Sequence, residues 1–543
     1  MRKFLLSMAL VLCTIGAMAQ GTIRFTFTRE TNNSATVTSD TNGVTATIAA
    51  TSASNAWNTG GAMANRTDVL CQNTNTSAAT TTPITFTLTI SGLNSTHTYK
   101  SAVFTHIAVN SGGNLQPSND IDIRHCNFDL QANGTSVGTK SDENIWIPSG
   151  KTEKNIIFNN DCAVSEDGTL TLKLTINKGT NNLGCFYGLK SITLFPIAIV
   201  PGQFNSVKLT PTMSSNDSRK GAIMTCDASA GLYCQDNSDN SSDEIFTFEL
   251  NEGKLYMKSV HTQTYISSTG GSNTQVKASA ESLTNAKNIS IQKLGETEID
   301  GATVALIGIT PEGGNMLNCS AKPGNVVAYD NTDAAKASSW YLTEVTDFKH
   351  TLTVGDAGWS TLVLGFNASI PTADGFKAYT VSSIEDGYVA LEEATGVLKA
   401  NTAIIVNAPA ENYDFAYSAD EATVTESLLD GSLYNKNITP EGTAYVLGNV
   451  ENNVGLYKAT LNQAENTAFL NNANKAYLVV PASEGAEGIA SYSFRFGEGT
   501  TGISEVKGES GNVNGIYDLT GRRVEAITAP GIYIVGGKKV LVK

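Results

Sequence analysis

The feature that most limits what this chain can fold into is a two-residue apolar rhythm in its first third. Ile23, Phe25 and Phe27 alternate with Arg24, Thr26 and Thr28; Ile84, Phe86, Leu88 and Ile90 alternate with three threonines; Leu170, Leu172, Leu174 and Ile176 repeat the pattern. Successive side chains of an extended backbone point to opposite faces, so each segment presents one face to a core and the other to water. Turn clusters such as SGLN at 91–94 and EDG at 166–168 separate the segments, and no useful 3.6-residue period interrupts them. With no helix to cover a sheet, the sheets must cover each other. Residues 20–196 are therefore expected to form a β-sandwich.

The rest of the chain is also β-rich, and the expected class is all-β. The segment from Phe195-Pro196 to Pro201-Gly202 reads as a linker. Residues 203–347 carry a weak threefold self-similarity, GLYCQ at 231–235, KLYMKSVHTQTYISS at 254–268 and NMLNCS at 315–320. Residues 348–499 contain strand cores such as AGWSTL at 357–362, AIIV at 403–406 and AYLVV at 476–480. Residues 500–514 are rich in Gly, Ser and Glu without periodicity and read as a tether. A final small module, 515–543, alternates around turns at Gly521, Pro530-Gly531 and Gly536-Gly537.

Four resemblances attach to these segments. YDLTGRRV at 517–524, PGIYIV at 530–535 and GKKVLVK at 537–543 resemble the C-terminal sorting domain of the Por (type IX) secretion system of the Bacteroidetes. That resemblance implies export across an outer membrane, partnership with the secretion machinery, and surface attachment or release. Its sorting motif falls on Tyr517, Gly521, Arg522, Pro530, Gly531, Tyr533 and Lys538. GNVVAY at 324–329 leading into SSWYLTE at 338–344 resembles the last repeat of ricin-type β-trefoils, whose tryptophan it places at Trp340; Ser338 stands where that family usually has Gln. The layout of the first domain, with YGLKSITL at 187–194 as its close, resembles galactose-binding-type jelly rolls and many carbohydrate-binding modules. The module at 348–499 resembles one often found ahead of such sorting domains.

The opposite end agrees with export. Arg2 and Lys3 precede an apolar run at 4–17 and a small-residue site, so residues 1–19 read as a signal peptide cut between Ala19 and Gln20. No later run reaches the roughly 20 apolar residues of a membrane helix. Charged residues make up 16% of the chain, below the usual share of about 25%, a balance suited to an extracellular β-protein. The net charge of −15 would repel phosphate backbones, which excludes nucleic acid as a natural partner.

Signatures of catalysis are missing: there is no HExxH, no P-loop, no dinucleotide fingerprint, and DASAG at 227–231 lacks the first Gly of a nucleophile elbow. DNSDNSSD at 236–243 has Ser241 and Thr247 where an EF-hand needs Gly and Glu, leaving a calcium-holding β-loop or a solvated turn. No cofactor is expected otherwise. The cysteines show no zinc spacing and read as structural disulfides or buried thiols. A sugar site needs a flat ring beside amide or carboxyl groups. Trp57 with Asn58, Trp146, and Asp120, Asp122 and Arg124 on one strand face fit this in the first domain. Tyr233 with Asp236, Tyr265, and Tyr329 with Asp330 fit it in the second. Core rings and solvated strand faces explain the same residues, and for Trp340 and Trp359 core packing is the stronger reading. The expected function is a secreted or surface-bound, non-catalytic binder of glycan or another extracellular ligand. The alternatives are a polysaccharide-degrading enzyme in the first domain and a structural adhesin without a small-molecule site.

Overall fold

The computed structural model describes residues 21–50, 66–73, 83–109, 125–145, 147, 153–179, 186–199, 206–213, 217–236, 238–329, 337–385, 387–462, 467–481, 489–496, 516–518, 523–524, 531–535 and 538–542. Strands fill them, and the only helical element among the described residues is the 3-10 turn Ser242–Glu244. No helix among them is long and apolar enough to cross a membrane.

The alternating segments of the first third form two antiparallel sheets. One runs Lys154–Phe158, Ser101–Val109, Phe186–Phe195, Ile23–Arg29, Ala35–Ser39, with Leu70–Asn73 also paired to Phe186–Phe195. The other runs Thr45–Ala50, Ile84–Ser91, Leu170–Lys178, His125–Ala132, Thr135–Asn144. Leu172 faces Leu88 on one side and Ala132 on the other, so the apolar phases of three strands coincide. Their inward residues form a single core with Phe25, Phe86, Phe128 and Tyr187. Burying each such side chain contributes about 1.5–3 kcal/mol, which pins the register, since a one-residue slip would turn every one of them outward.

Next comes a closed six-stranded barrel of Val207–Pro211, Phe246–Asn251, Lys254–Ser259, Ile289–Ile299, Ala302–Pro311 and Trp340–Glu344. A four-stranded sheet, in the order Ala222–Cys226, Leu232–Asp236, Gly324–Ala328, Leu317–Cys319, shares its core. A six-stranded barrel joined to hairpins over one core is the β-trefoil-like arrangement. Trp340 lies fully buried in that core, and its indole N–H donates to the Leu317 carbonyl at 2.8 Å, tying barrel to hairpin. Ser338 is buried too: it accepts from the Asn318 amide at 2.9 Å and donates to the Tyr329 carbonyl at 3.0 Å.

The third module is built on a nine-stranded antiparallel sheet. Its order is Trp359–Leu362, Ile404–Asn407, Lys377–Glu385, Tyr388–Ala394, Ser491–Phe496, Asn453–Lys458, Gly442–Val450, Lys475–Pro481, Leu429–Ser432. Trp359 is half-buried and packs on Phe494 with ring centroids 5.1 Å apart.

Contacts divide the chain into a body ending at Phe494 and a unit Arg495–Lys543. Within the body the modules are docked. The expected linker is partly embedded: Phe195 and Ile199 sit in the barrel's core cluster, and the Ile199 N–H donates to Ser101 at 2.8 Å. Proline content signals a connection, but two apolar side chains in it found a core to enter. Arg24 donates to the Glu252 carbonyl at 2.8 Å, and Thr193 to the Gly253 carbonyl at 2.8 Å, joining sandwich to barrel. Barrel and third module share a core in which Ile245 and Val260 join Phe348, Leu364 and Phe366. Tyr434 donates to Glu281 at 2.6 Å, and Lys436 pairs with the same carboxylate. The terminal unit is a four-stranded sheet, Arg523–Val524, Ile516–Asp518, Gly531–Val535, Lys538–Val542, with Tyr517 opposite Ile534 and Ile532 opposite Leu541.

Candidate functional site

A broad concavity lies where the barrel meets the third module. It is an open cleft of about 1000 Å³. One wall comes from the adjacent barrel strands Phe246–Asn251 and Lys254–Ser259, which contribute Phe248, Glu249 and Lys258. The opposite wall comes from three chain turns, at 365–367, 399–401 and 417–425.

Each side is held in place locally. Glu249 accepts a hydrogen bond from the Tyr265 hydroxyl, and the Lys258 ammonium lies 5.3 Å from the centre of the Tyr265 ring. Burial lowers the Lys258 pKa, with Glu249 opposing the shift. Burial, followed by the bond to Glu249, raises that of Tyr265. Across the cleft Phe348 stacks on Tyr417 at 4.8 Å and meets Phe366 edge-on at 5.0 Å, giving an aromatic base. The Asn367 side-chain oxygen accepts from the Ala400 N–H at 2.9 Å, and the Asn401 N–H donates to Leu364 at 2.7 Å. Asn401 takes a left-handed backbone, φ 65°, which asparagine tolerates better than most residues. Gln263 is also left-handed, φ 57°, and its amide donates to Val260 at 2.8 Å, over a Gly365 whose Cβ would stand 2.5 Å from Gln263 Cγ. The rim is polar: Lys399, Asn401, Asp420 and Glu421 are exposed.

The lining combines half-buried rings (Phe248, Tyr417), carboxamides (Gln263, Asn367, Asn401) and charges of both signs. It contains neither histidine nor cysteine among the described residues, so it holds no Ser–His or Cys–His pair for acyl transfer. Elsewhere Ser242 and His261 are joined at 3.0 Å, but both are buried at the barrel–module contact. There burial, with His350 alongside, holds the His261 pKa down to about 3. Among the described residues no group of three or more His, Cys, Asp or Glu is arranged to hold a metal.

The candidate residues from the sequence scatter around this picture. Trp57, Asn58, Asp120, Asp122, Arg124, Trp146 and Asp330 lie outside the described residues, as do Ala19, Gln20, Gly521, Arg522 and Pro530. Tyr233 is half-buried in Leu232–Asp236, opposite Asn325, and the exposed Asp236 pairs with Lys322 at 3.0 Å. Tyr329 is 51% exposed. Tyr265 is buried, 7% exposed, and reaches the cleft through Glu249 rather than by offering a free ring face. Of the sorting residues, Tyr517, Gly531, Tyr533 and Lys538 stand on strands of the terminal sheet. Cys71, Cys126, Cys162, Cys226, Cys234 and Cys319 are all buried. The cleft itself was missed because it is assembled from segments distant in sequence with no motif between them.

No protein-family profile matches the chain, and no curated protein matches it. Among solved structures it is similar to the GlcNAcα1-4Gal releasing endo-β-galactosidase from Clostridium perfringens, at 12% identity over 46% of this chain and 73% of that one, TM-score 0.19. It is also similar to the binding domain of botulinum neurotoxin DC in complex with SialylT, at 10% identity, 59% and 98% coverage, TM-score 0.18. A third is the botulinum neurotoxin serotype G binding domain, at 8% identity, 59% and 98% coverage, TM-score 0.18. Scores this low do not establish a shared fold, and the chain is placed in no family by them.

Proposed function

We propose that the protein is an exported, non-catalytic binding protein whose ligand is a glycan held in the cleft between barrel and third module. The observation that carries this reading is the lining. A polyhydroxylated ligand needs ring faces for its C–H surfaces and a mixed set of amide, carboxylate and ammonium groups for its hydroxyls, and the cleft offers both in an open trough. Export is supported by the charged, apolar and small-residue order of the first 19 residues and by the two motif blocks of the terminal module.

Electrophoresis of the full chain through gels containing soluble polysaccharides, followed by a glycan array, tests the proposal. Retardation by at least one polysaccharide is expected. Phe248→Ala and Asp420→Ala are each expected to weaken it by roughly tenfold, the loss of about 1.4 kcal/mol of binding. Release of shorter sugars would make the protein an enzyme instead, and silence in both assays would leave a scaffold; either result overturns the proposal.

A further inference from the structure

Next to the cleft, two short strands of the third module, Ala368–Ser369 and Val397–Leu398, form a ribbon in which Ala368 stands opposite Leu398 and Ser369 opposite Val397. The Ile370 N–H donates to the Gly396 carbonyl at 2.9 Å, which carries the pairing one step further. Opposed residues share a face, as do residues two apart on one strand. Ala368, Ile370 and Leu398 are buried, whereas Asn367, Ser369, Val397 and Lys399 are half-buried or exposed and belong to the outward face. At one end of that face Asn367 and Lys399 line the cleft. At the other end, in the same alternation, Pro371 and Thr395 line a second hollow of about 360 Å³ built from 370–378 and 393–396. Extended chain rises roughly 3.3 Å per residue, so Asn367 and Pro371 stand about 13 Å apart. The hollow has a buried apolar floor that includes Phe376, Ala378 and Ala394, and an exposed polar rim of Thr372, Asp374, Lys377 and Glu393. Lys377 pairs with Glu393 at 2.5 Å.

We propose that the ligand is an extended polysaccharide chain, which leaves the cleft across the outward face of this ribbon and seats further sugar units in the second hollow. The proposal rests on the glycan reading of the cleft and adds the length of the ligand to it. Like the cleft, the hollow joins apolar surface for sugar C–H faces to hydroxyl, carboxylate and ammonium groups for sugar hydroxyls. Between the two lie the small side chains of Ser369 and Val397, so the ribbon offers a path and no barrier. Sugar units joined in one chain reach the second hollow at high effective concentration once the first are bound, and affinity therefore grows with chain length. A short terminal epitope would fill the cleft alone and gain nothing from the hollow.

The test uses the full chain and calorimetric titration with size-fractionated oligosaccharides, from the disaccharide upward, made by partial acid hydrolysis of the polysaccharide that retards the chain most in gels. Affinity is expected to rise with length to a plateau roughly tenfold or more above that of the shortest fragment that binds. Asp374→Ala, at an exposed position on the rim of the hollow, should lower the plateau severalfold and leave the shortest binding fragment unaffected. Phe248→Ala should weaken fragments of every length, because it belongs to the cleft. Equal affinity for short and long fragments, or a plateau that Asp374→Ala leaves in place, overturns the extended-chain proposal while the cleft remains a glycan site. Binding of no fragment and no polysaccharide overturns the glycan reading itself, and this proposal with it.

Discussion

A histidine buried in its neutral form ties stability to acid. His106 and His261 are held to a pKa of about 3, and His97 and His350 to about 4, in each case chiefly by burial. The unfolded chain takes up protons near pH 6.5, whereas the folded chain does so only near 3–4. Stability is therefore fully present above about pH 7 and declines as pH falls from 6.5 toward 4. The thermal midpoint should fall steadily over that window, and His261→Gln should flatten the slope; a midpoint indifferent to pH would contradict the account. A buried ion pair behaves differently. Glu244 is fully buried and pairs with Lys208 at 3.2 Å, so Glu244→Gln leaves an ammonium without its countercharge. A cost of about 3 kcal/mol in urea unfolding is expected, because breaking a buried pair leaves one ion uncompensated. Neither effect was legible in the sequence: Glu244 looks like any acidic loop residue until the strand bearing Lys208 closes over it.

At the scale of elements, legibility was uneven for a physical reason. Strands with one wet face announce themselves by alternation, so Ile84–Ser91 and Leu170–Lys178 were readable from their residues alone. Which strand neighbours which depends on contacts far apart in sequence, so the order of the nine-stranded sheet was not. Trp340 was legible as core because it lies in an apolar strand, and Trp340→Ala should cost about 3–5 kcal/mol through the cavity and the lost bond to Leu317. Gly253 was invisible as a docking point. It has φ +69°, its carbonyl takes the Thr193 hydroxyl, and a Cβ there would stand 2.6 Å from the Ser191 hydroxyl. Gly253→Ala should destabilise the chain by about 2 kcal/mol, adding backbone strain to a clash at the sandwich–barrel contact. An unchanged unfolding midpoint would show that this contact carries no weight.

For the whole molecule, the all-β class could be read from composition and periodicity, while the docking of one sheet on another could not. The candidate site suffered most from this. Tyr265 stands out in the sequence for its ring, yet it is buried with its hydroxyl bonded to Glu249, and Phe248, Lys399 and Asp420 carry no motif at all. A cleft made by two modules meeting has no contiguous signature to find. The measurement that tests the account most directly is hydrogen–deuterium exchange of the full chain with and without the polysaccharide that retards it most. Slowed exchange at residues 247–250 and 417–425 is the expected result, whereas protection confined to residues 21–196, or none, would contradict a ligand seated between barrel and third module.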